Sequence, residues 1–191
     1  MNNNHQKFEQ AKRQFKTLMA NAPRIAGVTA VAFFKEGFRR EGQLIDGKLV
    51  PWKKRKFEFS NRKGAAVLKK TGALQRDLKF KTRKQAVAIT SNLPYSKILN
   101  DGGKVPITPR MRRFFWAKYK EATGKTVFNI KTKQVTKSTS RYSADAEIWK
   151  ALALTKKTHL DVEARPFLYN SKDLINALNT AFEGQIKAIF Q

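Results

Sequence analysis

The chain has 191 residues, enough for one domain with a real core, and its 41% apolar content, with 14 Phe and 3 Trp, excludes wholesale disorder. It has no cysteine, which excludes a disulfide scaffold, a thiolate zinc site and a cysteine nucleophile. Forty Lys and Arg stand against 14 Asp and Glu, a formal net charge of +26 that favours contact with polyanions such as nucleic acid.

The charge is uneven. Residues 1–60 carry 13 bases and 5 acids, residues 61–125 carry 17 and 3, and residues 126–191 carry 10 and 6, so the middle third is the electrostatic face. From Pro166 onward two Lys balance Asp173 and Glu183, as suits contact with protein rather than phosphate. The opening Met1-Asn2-Asn3-Asn4-His5 is polar and lacks the apolar core of a signal peptide. No apolar run approaches the ~20 residues that span a bilayer. Synthesis in a cytoplasm, without export or a membrane partner, is the expectation.

Phe8, Ala11, Phe15, Leu18 and Ala22 recur at three- and four-residue steps, which predicts an amphipathic helix ending near Asn21–Pro23. Arg24 to about Arg40 reads as a second helix, although its β-branched residues leave a strand open. Glu41–Pro51, with two glycines and an Asp46-Gly47 turn signal, reads as a loop. Trp52 and the run Lys53-Lys54-Arg55-Lys56 follow, then a short helix from Gly64 to Lys70 closed by Thr71-Gly72.

Leu74, Leu78 and Phe80, a polar turn at Lys81–Lys84, and Val87 with Ile89 predict a β-hairpin with an apolar inner side and a cationic turn. Leu93–Leu99 is a short helix candidate, broken by Asp101-Gly102-Gly103. Pro106 and Pro109 bracket a turn, and Arg110 to Ala122 reads as a helix. Residues 123–145 are poor in bulky apolar side chains and read as a mobile loop or arm, with one strand offered by Val127, Phe128 and Ile130. Glu147–Leu154 reads as a short helix and Leu160–Ala164 as a returning strand. Leu174, Ile175, Leu178, Phe182, Ile186, Ile189 and Phe190 predict a final helix.

Chemistry is sparse. His5 and His159 belong to no metal-binding spacing. Gly124-Lys125-Thr126 imitates the end of a phosphate-binding loop, but position 119 is Tyr where that motif needs its first glycine. Asp145 with Glu147 and Asp161 with Glu163 are the close acidic pairs, and each reads as a solvated face or a local partner for Lys150, Lys156 or Arg165. A non-enzymatic protein without metal or cofactor is expected. In Arg110-Met111-Arg112-Arg113-Phe114-Phe115-Trp116-Ala117-Lys118-Tyr119-Lys120, helical spacing puts Met111, Phe115 and Tyr119 on one edge with Phe114 near it, so the rings read as core. The cations there, and those of Lys53–Lys56, stay open between phosphate contact and simple solvation.

Several strings, in order, resemble the virion-morphogenesis or tail-completion family of Mu-like and related tailed phages. They are Phe34 to Gly37 and Phe38 to Gly42, then Trp52 and Arg55, then Leu68 before Thr71-Gly72-Ala73-Leu74. Val87 through Tyr95 and Gly102-Gly103 follow, and Ala164-Arg165-Pro166-Phe167-Leu168 with Ser171 precedes the last helix. Where members often carry a His between the Tyr and the glycine, this chain has Leu99-Asn100-Asp101, and its 111–160 segment is longer. As architecture, Thr71-Gly72 suits a stop before a strand, Gly102-Gly103 a tight turn, and Pro166 a helix start.

The resemblance implies a single α+β domain over 1–191: a small antiparallel β-sheet packed with N-terminal and C-terminal helices, with an elaborated 111–160 segment. It implies a virion protein at the neck or tail terminus, made in the host bacterial cytoplasm, that completes the tail and joins it to the DNA-filled head. The expected partners are copies of itself in a ring, other neck, connector or tail proteins, and packaged double-stranded DNA. Lys79, Lys81, Arg83 and Lys84, with Arg110, Arg112, Arg113, Lys118 and Lys120, are the candidates to face DNA or an acidic neighbour, along with the run at 53–56. The alternative is a free, sequence-independent nucleic-acid-binding protein.

Overall fold

A computed structural model describes residues 3–84, 86–123, 127–129, 134–136 and 144–190. In chain order the elements are α1 (Asn3–Arg40), β1 (Gly42–Ile45), β2 (Lys48–Pro51), a 3-10 turn at Ser60–Arg62, α2 (Ala73–Asp77), β3 (Lys79–Arg83) and β4 (Ala86–Thr90). There follow α3 (Ser96–Asp101), β5 (Gly103–Pro106), α4 (Pro109–Ala122), β6 (Val127–Asn129), β7 (Gln134–Thr136), α5 (Ala144–Leu154), β8 (His159–Val162) and α6 (Lys172–Ile189). The class is α+β. Among the described residues the strands form four separate antiparallel pairs, β1-β2, β3-β4, β5-β8 and β6-β7, rather than one sheet.

The chain gathers into two compact units where one domain is expected. Unit 1 takes residues 1–53, 66–101 and 164–191, and unit 2 takes 54–65 and 102–163. Unit 2 therefore contains the elaborated 111–160 segment.

Unit 1 is organised by α1. The expected break at Pro23 does not occur, and the helix runs unbroken through it. A mid-helix proline removes one hydrogen bond and crowds the preceding turn. Here α6 packs along α1, its late residues Gln185 and Ile189 lining a cleft with Leu18 and Ile25 and its early residues Asp173 and Ala177 another with Val28 and Ala32, and tertiary packing of this kind outweighs local propensity. As one helix, Asn4–Arg40 is long and apolar enough by length and composition to cross a bilayer, contrary to the absence of any such run noted above. Part of that apolar surface is spent internally: Ala30, Phe34 and Phe38 join Trp52, Leu74, Leu78 and Phe167 in the core.

Glu41–Pro51, expected as a loop, is a hairpin. Asp46 and Gly47 both have positive φ, 50° and 73°, which is the two-residue turn whose twist matches paired strands. Gly42 pairs with Pro51 and Ile45 with Lys48. Gly64–Lys70 forms no helix. Two of its backbone groups are taken by side chains: Ala65 O accepts from Arg55 Nη2 at 2.6 Å, and Val67 N donates to Glu41 Oε2 at 3.1 Å. Thr71-Gly72 precedes a helix rather than a strand, Gly72 being the left-handed N-cap of α2 (φ 73°). Leu74 and Leu78, four residues apart across this short helix, are both buried.

Unit 2 has its own apolar centre. Phe59 stacks on Trp149 at 4.4 Å, Phe115 lies parallel to the same indole at 6.2 Å, and Ala146 and Ala153 are buried. Asp145 accepts from the Ser60 N–H and hydroxyl, both at 2.7 Å, which ties the start of α5 to the 3-10 turn. β5 and β8 pair from Gly103↔Val162 to Pro106↔His159. The strand expected at Val127, Phe128 and Ile130 is realised at Val127 and Phe128 in β6, which pairs with β7 inside the expected arm; Ile130 and the rest of Lys131–Ser143 lie outside the described residues.

Candidate nucleic-acid interface

The β3–β4 hairpin has two unlike faces. Alternation along a strand sends Lys79, Lys81 and Arg83 to one side and Phe80 and Thr82 to the other. The registers Phe80↔Ile89 and Thr82↔Val87 put the apolar residues together, and Ile89 packs on the unit 1 core. Phe80 lies so close to α1 that a Cβ on Gly27 would fall 2.3 Å from its ring. On the outer face the registers are Lys79↔Thr90, Lys81↔Ala88 and Arg83↔Ala86, so each cation stands opposite a small side chain. Lys79, Lys81, Arg83 and Lys84 are all exposed.

No described carboxylate forms an ion pair with these four. Asp77, just before the row, is already engaged: its carboxylate accepts from the Ser91 hydroxyl at 2.8 Å and the Asn92 N–H at 2.7 Å. Those bonds, the Ser91 one foremost, hold its pKa below the ordinary value, with a smaller contribution from the charge of Lys79. Some cations elsewhere have acidic partners. Glu36 pairs with Arg39 and Arg40, Lys12 with Glu9, Lys56 with Glu163 and Lys118 with Glu121.

The other candidates divide. The boundary between the two units falls inside the basic run: Lys53 belongs to unit 1, and Lys54, Arg55 and Lys56 to unit 2. Arg55 is structural, donating to the carbonyls of Arg62 and Ala65. Burial, then the nearby Arg55 charge, lowers the pKa of Arg62. In α4, Thr108 caps the helix by accepting from Met111 N, and Pro109 opens its first turn. Phe115 is buried, Met111 and Tyr119 are half-buried, and Phe114 is 50% exposed although it meets Trp149 edge-on. Arg112 is a clamp, donating to the carbonyls of Ala153, Thr155 and Lys157 at 3.4, 2.7 and 3.2 Å. Arg110, Arg113 and Lys120 remain exposed and share the helix face opposite Phe115.

Of the residues that carry the family resemblance, Arg55, Gly102 and Gly103 belong to unit 2 and the rest to unit 1. Trp52 donates its indole N–H to Pro166 O at 2.9 Å and packs edge-on against Phe38. Pro166 lies outside any helix or strand and does not begin a helix; Ser171 caps α6, accepting from Asp173 N at 3.1 Å. Phe167 is 1% exposed, beside Phe38 at 5.4 Å, with Leu68 and Leu168 against the same cluster. Arg165 is buried and donates from Nε to Lys53 O at 2.8 Å. Arg76 Nη1 donates to Thr71 O. Gly102 and Gly103 have φ of 72° and 138°, as a tight turn requires, and Tyr95 is exposed.

Sequence reasoning missed Asn100 and Tyr169. Asn100 Oδ1 accepts from the N–H groups of Phe167 and Leu168 at 2.9 and 2.8 Å, in the stretch that departs from the family pattern. The Tyr169 hydroxyl accepts from Leu44 N at 2.7 Å, and burial raises its pKa. The composition of neither stretch signals these bonds, which join distant parts of the chain.

Among the described residues no group of three or more His, Asp or Glu is placed to hold a metal ion. His159 Nδ1 lies 2.8 Å from the Thr158 hydroxyl. The chain matches no family model, and no curated protein and no solved structure is similar to it.

Proposed function

We propose that this chain is a structural virion protein of a tailed phage, acting at the neck or tail terminus, where it completes the tail and joins it to the DNA-filled head through ring assembly. One observation carries the reading. The resembling strings are scattered over more than a hundred residues, yet Phe34, Phe38, Trp52, Leu74 and Phe167 form one cluster, with Leu68 and Leu168 packed on it. Strings that share order and also share a core behave as the signature of one folding unit. The added length of the 111–160 segment goes into unit 2, so it leaves that signature undisturbed.

Two further features support ring assembly. Head-to-tail rings need two unlike, complementary surfaces on each protomer. Unit 1 exposes Phe8, Phe15 and Met19 along one stripe of α1, and separately holds a cleft of about 560 Å³ lined by Val28, Ala32, Leu44, Leu49 and Tyr169 among others. The second reading, a free nucleic-acid-binding protein, is favoured by the unpaired cations of the β3–β4 hairpin. Electron microscopy of the purified chain at low and moderate salt, alone and with a short DNA duplex, separates the two. Closed rings are expected. A monomer that coats duplex and forms no ring at any concentration overturns the neck reading.

A further inference from the structure

We propose that the outer face of the β3–β4 hairpin, Lys79, Lys81, Arg83 and Lys84, is a preformed, sequence-independent contact for the phosphate backbone of a nucleic acid. The contact does not depend on ring closure and so stands apart from the neck reading.

Geometry supplies the first reason. Alternate residues of a strand lie about 7 Å apart, so Lys79, Lys81 and Arg83 form a straight row with roughly the separation of neighbouring phosphates along a strand. Lys84 extends it at the turn. The cross-strand neighbours Ala86, Ala88 and Thr90 are too short to cover the charges or to offer them a carboxylate. Where Glu36 or Glu121 absorbs cations elsewhere, nothing described does so here.

Rigidity is the second reason. The inner face of the hairpin is seated on α1 through Phe80 over Gly27 and on the core through Ile89. The row is held in place before any ligand arrives, so binding orders only side-chain ends rather than backbone, which lowers its entropic cost.

Composition names the partner. Protein interfaces centre on large apolar and aromatic side chains and are depleted in charge. This face has cations, alanines and a threonine and no large apolar group, so it fits a phosphate backbone better than an acidic protein. A contact of this kind positions the chain on the backbone by charge and carries no sequence information directly.

The test is binding of the full chain, followed by fluorescence anisotropy, to a duplex and to a single strand of equal length between about 50 and 200 mM salt. Each phosphate contact contributes about 0.9 to the salt slope on a duplex and about 0.7 on a single strand. Changing all four residues to Gln should flatten the slope by about 3.6 on a duplex or about 2.8 on a single strand, and the value observed tells which form is held. A control loses equal charge at the exposed Lys48, Lys97, Lys172 and Lys187 and should keep nearly the wild-type slope. Arg83→Lys should also keep it. If the quadruple variant melts early, Lys81→Gln alone should still remove about 0.9 on a duplex. Equal slopes for the hairpin variant and the control overturn the proposal. So does a slope lost only in Arg110→Gln/Arg113→Gln/Lys120→Gln, or polyglutamate competing as well as DNA at matched charge.

Discussion

Gly27→Ala tests how the cationic hairpin is mounted. A Cβ at this buried helical position would lie 2.3, 2.5 and 2.7 Å from Cδ2, Cγ and Cε2 of Phe80. Carbon atoms in ordinary contact sit about 3.5–4.0 Å apart, so the ring has to move by about an ångström or the hairpin has to lift. Two effects then oppose each other. Replacing a mid-helix Gly with Ala gains about 1 kcal/mol. Overpacking of a well-filled contact costs about 1–3 kcal/mol. Gly184 in α6 has open space around its Cβ position, so Gly184→Ala shows the gain alone. The two variants should therefore differ by about 1–3 kcal/mol, with Gly184→Ala the more stable. Urea unfolding, with the slope m checked to be unchanged, measures this directly. In a Phe80→Ala background the collision is gone, and Gly27→Ala should recover its helix gain, a coupling that a double-mutant cycle isolates. If Gly27→Ala stabilises the chain as much as Gly184→Ala does, the close seating of Phe80 is refuted.

Three other outcomes follow from the same contacts. Phe167→Ala removes the most deeply buried ring of unit 1 and should cost about 3–5 kcal/mol of unfolding free energy in urea. Arg112→Met keeps the aliphatic stem but strips donors from three carbonyls, and should lower the melting temperature in a scan that follows Trp149 and its neighbours, while leaving the DNA salt slope unchanged. Asp77 has a folded pKa below its ordinary 3.8, so its stabilisation is complete at neutral pH and fades as pH falls through the depressed value. Asp77→Asn should therefore be less stable than wild type at pH 7, with the gap closing on acidification below about pH 4; a gap constant from pH 7 to pH 3 refutes the carboxylate's role.

What was legible in the sequence was what depends on periodicity. α4, α5 and α6 lie close to their expected spans because their apolar residues recur at helical steps, and the β3–β4 hairpin because Val87 and Ile89 alternate against Phe80. The β1–β2 hairpin was hidden because its eight strand residues have little apolar alternation, although Asp46-Gly47 held the turn signal. Continuity through Pro23 was invisible because α6, far along the chain, supplies the packing that outweighs the proline. The candidate site was half legible. Charge counts located the cations but could not tell Lys81, exposed and unopposed, from Arg112, whose guanidinium is spent on three carbonyls. That distinction rests on tertiary contacts, as does the role of Asn100.

The order in which unit 1 is threaded has a consequence for its birth on the ribosome. Trp52 waits 114 positions for Pro166, the acceptor of its indole N–H, and Phe167 comes one later. Residues 54–65 and 102–163, the whole of unit 2, emerge inside that interval. The nascent chain therefore completes its inserted module first and closes the surrounding one last. Until then Phe34 lacks the Tyr169 ring and Phe38 the Phe167 ring, on a strongly cationic and unfinished polypeptide. Closing so distant a contact is slow, and an open apolar helix is what chaperones hold and neighbouring chains capture. A chain that stalls just short of Phe167 would carry a finished interior module within a unit that cannot shut.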